Sequence, residues 1–200
     1  MAAAECLFAS KGLHGTALRE IARDAGLNPN LVSYYFPTKE KLYTELVETR
    51  ARWINERREA LLTAAEEACA PAQPSVEAIM RCFVRPIFEM KMEEEGAWSR
   101  FYDLLSRESG SELSQRVMRT TVGPIMRRFV VLLHRVLPSA RRRDVLFLLE
   151  LALHATIIAS PPHARLVLDE TLAGDWNDDE LEDRIVRTMT AAAGDLLRET

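Results

Sequence analysis

Three polar side chains in the stretch LNPNLVSYYF, residues 27–36, have the chemistry needed to bind nucleic acid. The amide of Asn30 can pair with adenine or donate to a phosphate, and the hydroxyl of Ser33 can contact either without discriminating between bases. The ring and hydroxyl of Tyr34 suit the sugar-phosphate backbone. A helical wheel places all three on one side, together with Pro29, and we interpret that side as a candidate DNA contact.

The helix that carries these groups is short, and its ends are marked in the sequence. Asn28 is a favourable N-cap, Pro29 fits the first helical position because its missing N–H is not needed there, and Pro37 stops the helix. The wheel gives this helix an inward apolar stripe formed by Val32, Tyr35 and Phe36. Since a helix of two turns is marginal on its own, neighbouring helices must hold it.

The whole chain is predicted to be helical, because apolar residues recur at helical spacing and no alternating stretch predicts a strand. Thr16 and Thr38 are predicted to cap the second and fourth helices, and Gly12 and Gly26 to end the first and second, Gly12 as a left-handed C-cap. The predicted helices cover residues 2–10, 17–25, 29–36, 39–68, 76–94, 97–108, 112–136, 141–159 and 179–198.

The second and third helices, joined by AGLN, have the layout of a helix-turn-helix from Ala17 to Phe36, whose second helix enters the major groove. The stretch GLHGTALREIARDAGLNPNLVSYYFPTKEKLYTELV, Gly12–Val47, resembles the N-terminal domain of TetR-type transcriptional regulators. The features that carry the resemblance are Gly12 and Thr16, REIARDAG, the helix ending YYF, and Lys39 followed by Leu42. The rest of the chain is similar to that family only in layout.

The resemblance implies a homodimer that places the third helix of each protomer in one half of a palindromic DNA operator. By position, the DNA-facing residues that it implies are Thr16, Arg19, Asn28, Pro29, Asn30, Leu31, Ser33, Tyr34, Tyr35 and Lys39. The two predictions disagree about Tyr35, whose side chain faces DNA according to the resemblance and faces the core according to the helical wheel. The first 42 residues hold five basic and four acidic side chains, so DNA contact must depend on geometry rather than bulk charge.

A domain boundary is predicted near Arg50, ahead of the helix break APAQPS. Residues 1–50 are then the DNA-binding domain and residues 51–200 the larger helical domain, which the resemblance implies binds a small-molecule effector and forms the dimer. Pro86 and the stretch VGPI predict kinked helices that leave room for a ligand. Its predicted lining is Phe83, Trp98, Phe101 and Tyr102, each of which is an equally good core residue. An apolar or aromatic effector would follow.

The dimer contact is assigned to the last two predicted helices, since the first of them, within VLFLLELALHATIIAS, is apolar on more than one face. The residues predicted to form it are Leu148, Leu151, Ala155, Ile158, Ile185 and Met189. The pattern also allows that helix to be the central helix of a monomer.

Composition favours a cytoplasmic protein rather than a secreted or membrane one. The 200 residues carry a net charge of −4, no secretory signal is recognised, and the three cysteines have no paired spacing. The most apolar stretch is shorter than the roughly 20 residues of a membrane span. The four histidines lack metal-ligand spacing, and no phosphate loop or nucleophile elbow occurs, so no enzyme activity, cofactor or metal is predicted.

The weak basicity of the first domain keeps a second interpretation open. The chain could be an all-α dimeric interaction or ligand-binding protein that keeps the helix-turn-helix shape without specific DNA binding. Salt dependence separates the two, because a protein that contacts several phosphates loses affinity steeply as salt rises.

Overall fold

The computed structural model describes residues 1–93, 96–158 and 177–195. Within those ranges the chain forms ten α-helices and no β-strand, as the helical spacing predicts. The helices are α1 (Ala2–Lys11), α2 (Leu18–Asp24), α3 (Pro29–Tyr35), α4 (Lys39–Cys69), α5 (Val76–Glu93), α6 (Ala97–Arg107), α7 (Glu112–Thr121), α8 (Gly123–Val136), α9 (Arg142–Ile158) and α10 (Asp178–Asp195).

Helices α3 and α4 begin at the capping residues predicted for them. Asn28 Oδ1 accepts a hydrogen bond from the backbone N–H of Asn30 at 2.9 Å, and Pro29 occupies the first turn of α3. Thr38 Oγ1 accepts from the backbone N–H of Lys41 at 3.2 Å. Each bond satisfies a terminal N–H group that has no carbonyl partner inside the helix.

The predicted cap of α2 is wrong. Ala17 holds the N-cap position without a side-chain bond, and Thr16 is buried. The Thr16 hydroxyl donates to the carbonyls of Gly12 at 2.8 Å and Leu7 at 3.3 Å, because a buried hydroxyl needs an acceptor inside the protein. Gly12 does end α1 with a positive φ of 73°, but its ψ of 171° is extended rather than left-handed helical.

The single helix predicted over residues 112–136 is also wrong, because α7 ends at Thr121 and α8 begins at Gly123. Pro124 has no N–H to donate to the carbonyl four residues earlier, and its ring crowds that carbonyl. The backbone N–H of Val122 still bonds to the carbonyl of Met118 at 2.9 Å, which closes the last turn of α7. Pro86, in contrast, lies inside α5, which is assigned as one helix.

The chain divides into two compact units, the first formed by residues 1–53 and 94–124 and the second by residues 54–93 and 125–200. The first unit contains the helix-turn-helix together with α6 and α7. Its core includes Phe8 and Tyr43, whose rings meet edge to face with centroids 5.8 Å apart. The boundary near Arg50 is a division along the chain and stays a prediction.

Polar bonds join the end of α6 and the start of α7 to the segments on either side of the helix-turn-helix, which are the loop after α1 and the start of α4. The buried Glu108 accepts the backbone N–H of Leu13 at 2.8 Å, across 95 positions of sequence. The hydroxyl of Tyr43 donates to Ser114 Oγ at 3.4 Å. Residues far along the chain therefore help to hold the helices that carry the predicted DNA contact.

In the second unit, α5 packs against both α9 and α10, and α10 packs against α9. Phe83 and Phe129 are fully buried there, with ring centroids 5.1 Å apart. Ion pairs from Arg81 to Glu182 and Asp183 connect α5 to α10. Across the described ranges, every helix is too short or too polar to serve as a membrane span.

Candidate nucleic-acid interface

The turn between α2 and α3 is fixed by a glycine-ended helix cap. Gly26 has a φ of 65°, which an L side chain rarely adopts. The backbone N–H of Leu27 bonds to the carbonyl of Ala22 at 2.8 Å, and that of Gly26 bonds to the carbonyl of Arg23 at 3.1 Å. This pair of bonds is the Schellman motif, so the turn sets the angle at which α3 leaves α2.

Helix α3 buries little of itself. Val32 is its buried residue, and Phe36, which follows the helix, is half-buried. Tyr35 is 62% exposed, so its predicted inward position is wrong. The helix ends at Tyr35, and the half-buried Phe36 just beyond it supplies the second inward contact.

The outer surface of α3 consists of polar and aromatic groups. Asn30 and Ser33 are exposed, Tyr34 is 78% exposed, and Leu31 is 48% exposed. The rings of Tyr34 and Tyr35 meet edge to face at 5.3 Å, so they form one aromatic projection. The Oδ1 atom of Asn28 is already committed to capping the helix.

Lys39 has a structural role that the sequence did not indicate. Its Nζ donates to the carbonyl of His14 at 3.1 Å and to that of Thr16 at 3.3 Å, so the ammonium group fixes the loop before α2. An ammonium has three N–H donors, so these two carbonyls do not use all of its bonding capacity. The side-chain hydroxyl of Thr16 is directed inward, and the whole residue is only 2% exposed.

The charged groups on α2 differ in how far they are engaged. Glu20 forms an ion pair with Lys11 and lies 3.9 Å from Arg23, which also contacts Asp24 at 3.3 Å. The hydrogen bond from Lys11 lowers the pKa of Glu20, so this carboxylate stays ionised. Arg19 is exposed in the first turn of α2 and has no ion-pair partner among the described residues. The role of Arg19 in DNA binding stays a prediction.

The residues predicted to line a ligand site fall in different compact units. Phe83 belongs to the second unit, where it is fully buried against Phe129. Phe101 and Tyr102 belong to the first, Phe101 buried and Tyr102 partly exposed. The side chain of Trp98 lies outside the described residues. A ligand role for these four residues stays a prediction.

The predicted dimer residues also divide by burial. Three of them, Leu148, Ile185 and Met189, are buried within their own chain. Leu151 is 40% exposed and Ala155 partly exposed, whereas the side chain of Ile158 lies outside the described residues. A larger exposed apolar residue on α9, Phe147, is 64% exposed and was not predicted. Its spacing of four residues from Leu151 is the signal that could have found it.

Family profiles match both parts of the chain. Residues 1–46 match the profile of bacterial regulatory proteins of the tetR family, and residues 81–192 match that of the tetracyclin repressor-like C-terminal domain. The HTH-type transcriptional dual regulator CecR of Shigella flexneri is 31% identical over 124 residues, which are 62% of this chain and 50% of that protein. The match thus spans about half the length of that curated relative.

Solved structures share the fold. A TetR-family transcription regulator from Shewanella sp. PV-4 superposes with a TM-score of 0.64 at 18% identity, over 96% of this chain and 94% of that one. A transcriptional regulator from Pseudomonas aeruginosa PAO1 gives a TM-score of 0.66 at 16% identity, over 98% and 90% of the two chains. At such identities the likeness establishes the fold alone, whereas the C-terminal profile covers more than half of the sequence. The chain therefore belongs to the TetR family of bacterial transcriptional regulators.

Proposed function

We propose that this protein is a homodimeric repressor that binds a palindromic operator and is released by a small-molecule effector. The observation that carries the proposal is the outer surface of α3. Its polar and aromatic groups are exposed, while Val32 alone is buried and the Schellman turn at Gly26 holds the helix in place. A helix built in this way has its hydrogen-bonding groups free for the major groove.

Each exposed group has a distinct role in the proposed complex. Asn30 and Ser33, near the start of α3, contact base edges, whereas Tyr34 contacts the sugar-phosphate backbone. Arg19 and Lys39 neutralise phosphates on either side of the groove. Residues 1–50 act as the DNA-binding domain, and the cytoplasm is where such a protein meets its operator.

The homodimer forms through α9 in this proposal. Phe147 and Leu151 stand one turn apart and are both exposed, so they present an apolar stripe that a second protomer can bury. Leu148, on the same helix, is buried in its own protomer and holds α9 against the core. Dimers of this class separate their recognition helices by roughly 34–36 Å, one turn of DNA.

Effector binding within residues 51–200 changes the course of α4, and this alters the separation of the two recognition helices. Affinity falls because the two half-sites can no longer be engaged together. Repression is the usual sign in the family. The relative CecR is named a dual regulator, so activation is the alternative to repression. A reporter gene placed behind the selected operator distinguishes the two.

Selection of DNA from a random pool by the purified protein tests the proposal. We expect a palindrome with half-sites about one helical turn apart, and an affinity that falls steeply as salt rises. A pool that stays unenriched at low salt would contradict DNA recognition and favour the interaction protein that keeps only the helix-turn-helix shape. A motif with a single half-site would contradict the dimer.

A further inference from the structure

A positively charged side chain lies in the apolar core of the second unit. Arg58 is 4% exposed, although it stands on α4 in line with the buried residues Ile54 and Leu62. These positions are four residues apart, so the arginine occupies a place on the helix where an apolar residue is expected. Arginine is rarely buried to this extent unless an acidic group pairs with it.

The guanidinium of Arg58 is only partly satisfied by the protein. Its Nε donates to the carbonyl of Phe83 at 3.0 Å, and its Cζ lies 4.1 Å from the centroid of the Phe83 ring. Its Nη2 is buried and has no hydrogen-bond acceptor among the described residues. No acidic side chain of the described chain pairs with Arg58.

An unpaired buried charge is unfavourable for folding. The loss of hydration is large for an ion without a partner, and a cation–π contact offsets only part of it. Burial lowers the pKa of Arg58 to about 9, so the group remains a cation at neutral pH. The protein therefore keeps a charge that weakens it, which is typical of a group retained for a ligand.

We infer that Arg58 binds the carboxylate of an effector whose apolar or aromatic body lies among the side chains around it. A guanidinium and a carboxylate form two parallel hydrogen bonds, and the free Nη2 supplies one of the donors. The apolar surroundings favour a singly charged acid over a phosphate, because a more highly charged group loses more hydration on burial. The inference rests on the proposed function in taking this ligand to be the effector.

The position of Arg58 on α4 connects the proposed ligand to the helix-turn-helix through one helix. Arg58 belongs to the continuous helix α4, which begins at Lys39, and Lys39 fixes the loop before α2. A carboxylate bound at Arg58 therefore acts on the same helix that anchors the helix-turn-helix.

Other arginines of the second unit provide matched controls. Arg57, the preceding residue, is exposed and pairs with Glu89 at 2.6 Å. Arg127, Arg128 and Arg135 line a surface groove of about 300 Å³ with Glu66. Arg128 is already paired with Glu59 and Glu66. An acid attracted merely by surface charge would bind at these positions.

Calorimetric titration of the full-length protein tests the assignment without DNA. The probes are benzoate, phenylacetate and octanoate, each compared with its neutral amide. We expect at least one acid to bind ten-fold or more tightly than its amide, and Arg58→Met to abolish that preference. Arg58→Lys should retain only part of it, because the planar fork is lost. Arg57→Met and Arg135→Met should preserve it.

Thermal unfolding gives an independent readout. Without ligand, Arg58→Met should unfold at the same temperature as the wild type or a higher one, because an apolar side chain of similar length replaces an unpaired charge. The inference is overturned if no acid is preferred over its amide, or if the preference survives Arg58→Met. Arg58→Lys serves the same comparison if the methionine variant does not fold.

The two proposals fail separately. Failure of DNA selection leaves the titration unaffected, since the titration contains no DNA. Fluorescence anisotropy measures whether the preferred acid releases the protein from the selected operator. If the acid binds but the operator stays bound, the effector role assigned to the site is overturned.

Discussion

Each compact unit of the protein buries charged side chains, and the two most instructive, Glu5 and Arg58, differ in how far the protein satisfies them. In the first unit Glu5 is 1% exposed and accepts two hydrogen bonds from Arg50, at 2.7 and 3.2 Å, with Arg100 at 4.0 Å. In the second unit Arg58 is 4% exposed and has one carbonyl and one aromatic ring as partners. The first charge is satisfied within the protein, and the second is left for something else to satisfy.

The difference separates groups that hold the fold from groups that serve a ligand. Removing a satisfied group should lower the free energy of unfolding, because its partner is left unpaired. Removing an unsatisfied group should leave stability unchanged or raise it, and should lower affinity for the ligand. The same expectation applies to the exposed groups of α3, whose hydrogen bonds are made to water in the free protein. Removing one of them should lower affinity for DNA and leave stability unchanged.

The largest effect is expected from Glu5→Gln. The substitution removes the charge that pairs with Arg50, and breaking a buried ion pair costs about 3 kcal/mol, the low end of the usual range because Arg50 is partly exposed. Urea unfolding at fixed protein concentration measures it. Glu112→Gln is the control, since Glu112 is exposed and its pair with Arg116 should contribute less than about 0.5 kcal/mol. Equal losses in the two variants would contradict the comparison.

The next effect is expected from Tyr34→Ala. Loss of the ring and hydroxyl should weaken operator binding about ten-fold, or about 1.4 kcal/mol, with the free energy of unfolding unchanged. Fluorescence anisotropy gives the affinity, and sedimentation shows whether the dimer persists. Phe147→Ala is the reciprocal variant and should weaken the dimer first. A dimer lost in Tyr34→Ala would place that side chain on a different surface.

Lys39→Met should affect both properties, because this ammonium is satisfied by two carbonyls and has one donor left. We expect the free energy of unfolding to fall by about 1 kcal/mol. The salt dependence of operator binding should also fall, by about one unit of slope. Lys41→Met, on the exposed side of the same helix, should change neither. An unchanged salt slope in Lys39→Met would assign the residue to the loop alone.

The smallest effect is expected from Glu89→Gln in the second unit. The hydrogen bond from Arg57, with help from Arg85, holds the pKa of Glu89 below its ordinary value of 4.5. A lowered folded-state pKa means that the carboxylate stabilises the fold above that value and ceases to do so as the pH falls through the folded pKa. The free energy of unfolding of the wild type should therefore exceed that of the variant by about 0.5–1 kcal/mol at pH 7. The two values should become equal in acid. A difference that persists at pH 2 would contradict an ionic cause.

Features set by neighbouring residues were predictable from the sequence. The caps at Asn28 and Thr38, the glycine that ends α2, and the long α4 all depend on residues within a few positions of one another. The family could be predicted for the same reason, because its most specific residues are clustered in the helix-turn-helix.

Features set by distant residues were not predictable. The hydroxyl of Thr16 bonds to carbonyls of α1 and its C-cap rather than to its own helix, and Glu108 reaches Leu13 from another part of the chain. Arg58 did leave a signal, since it lies on the apolar line between Ile54 and Leu62. An arginine on such a line is normally interpreted as an exposed residue at the helix edge, and only the structure shows it to be buried and bonded to the carbonyl of Phe83 on α5.

The bonds from the end of α6 and the start of α7 to the segments that flank the helix-turn-helix limit how this regulator can be rebuilt. A hybrid that joins residues 1–50 to the effector domain of a different family member would leave the Leu13 N–H without Glu108 and the Tyr43 hydroxyl without Ser114. Grafting must therefore transfer residues 94–124 along with the N-terminal segment, or replace these partners in the recipient. For biosensor engineering, the exchangeable part of this protein is a discontinuous one.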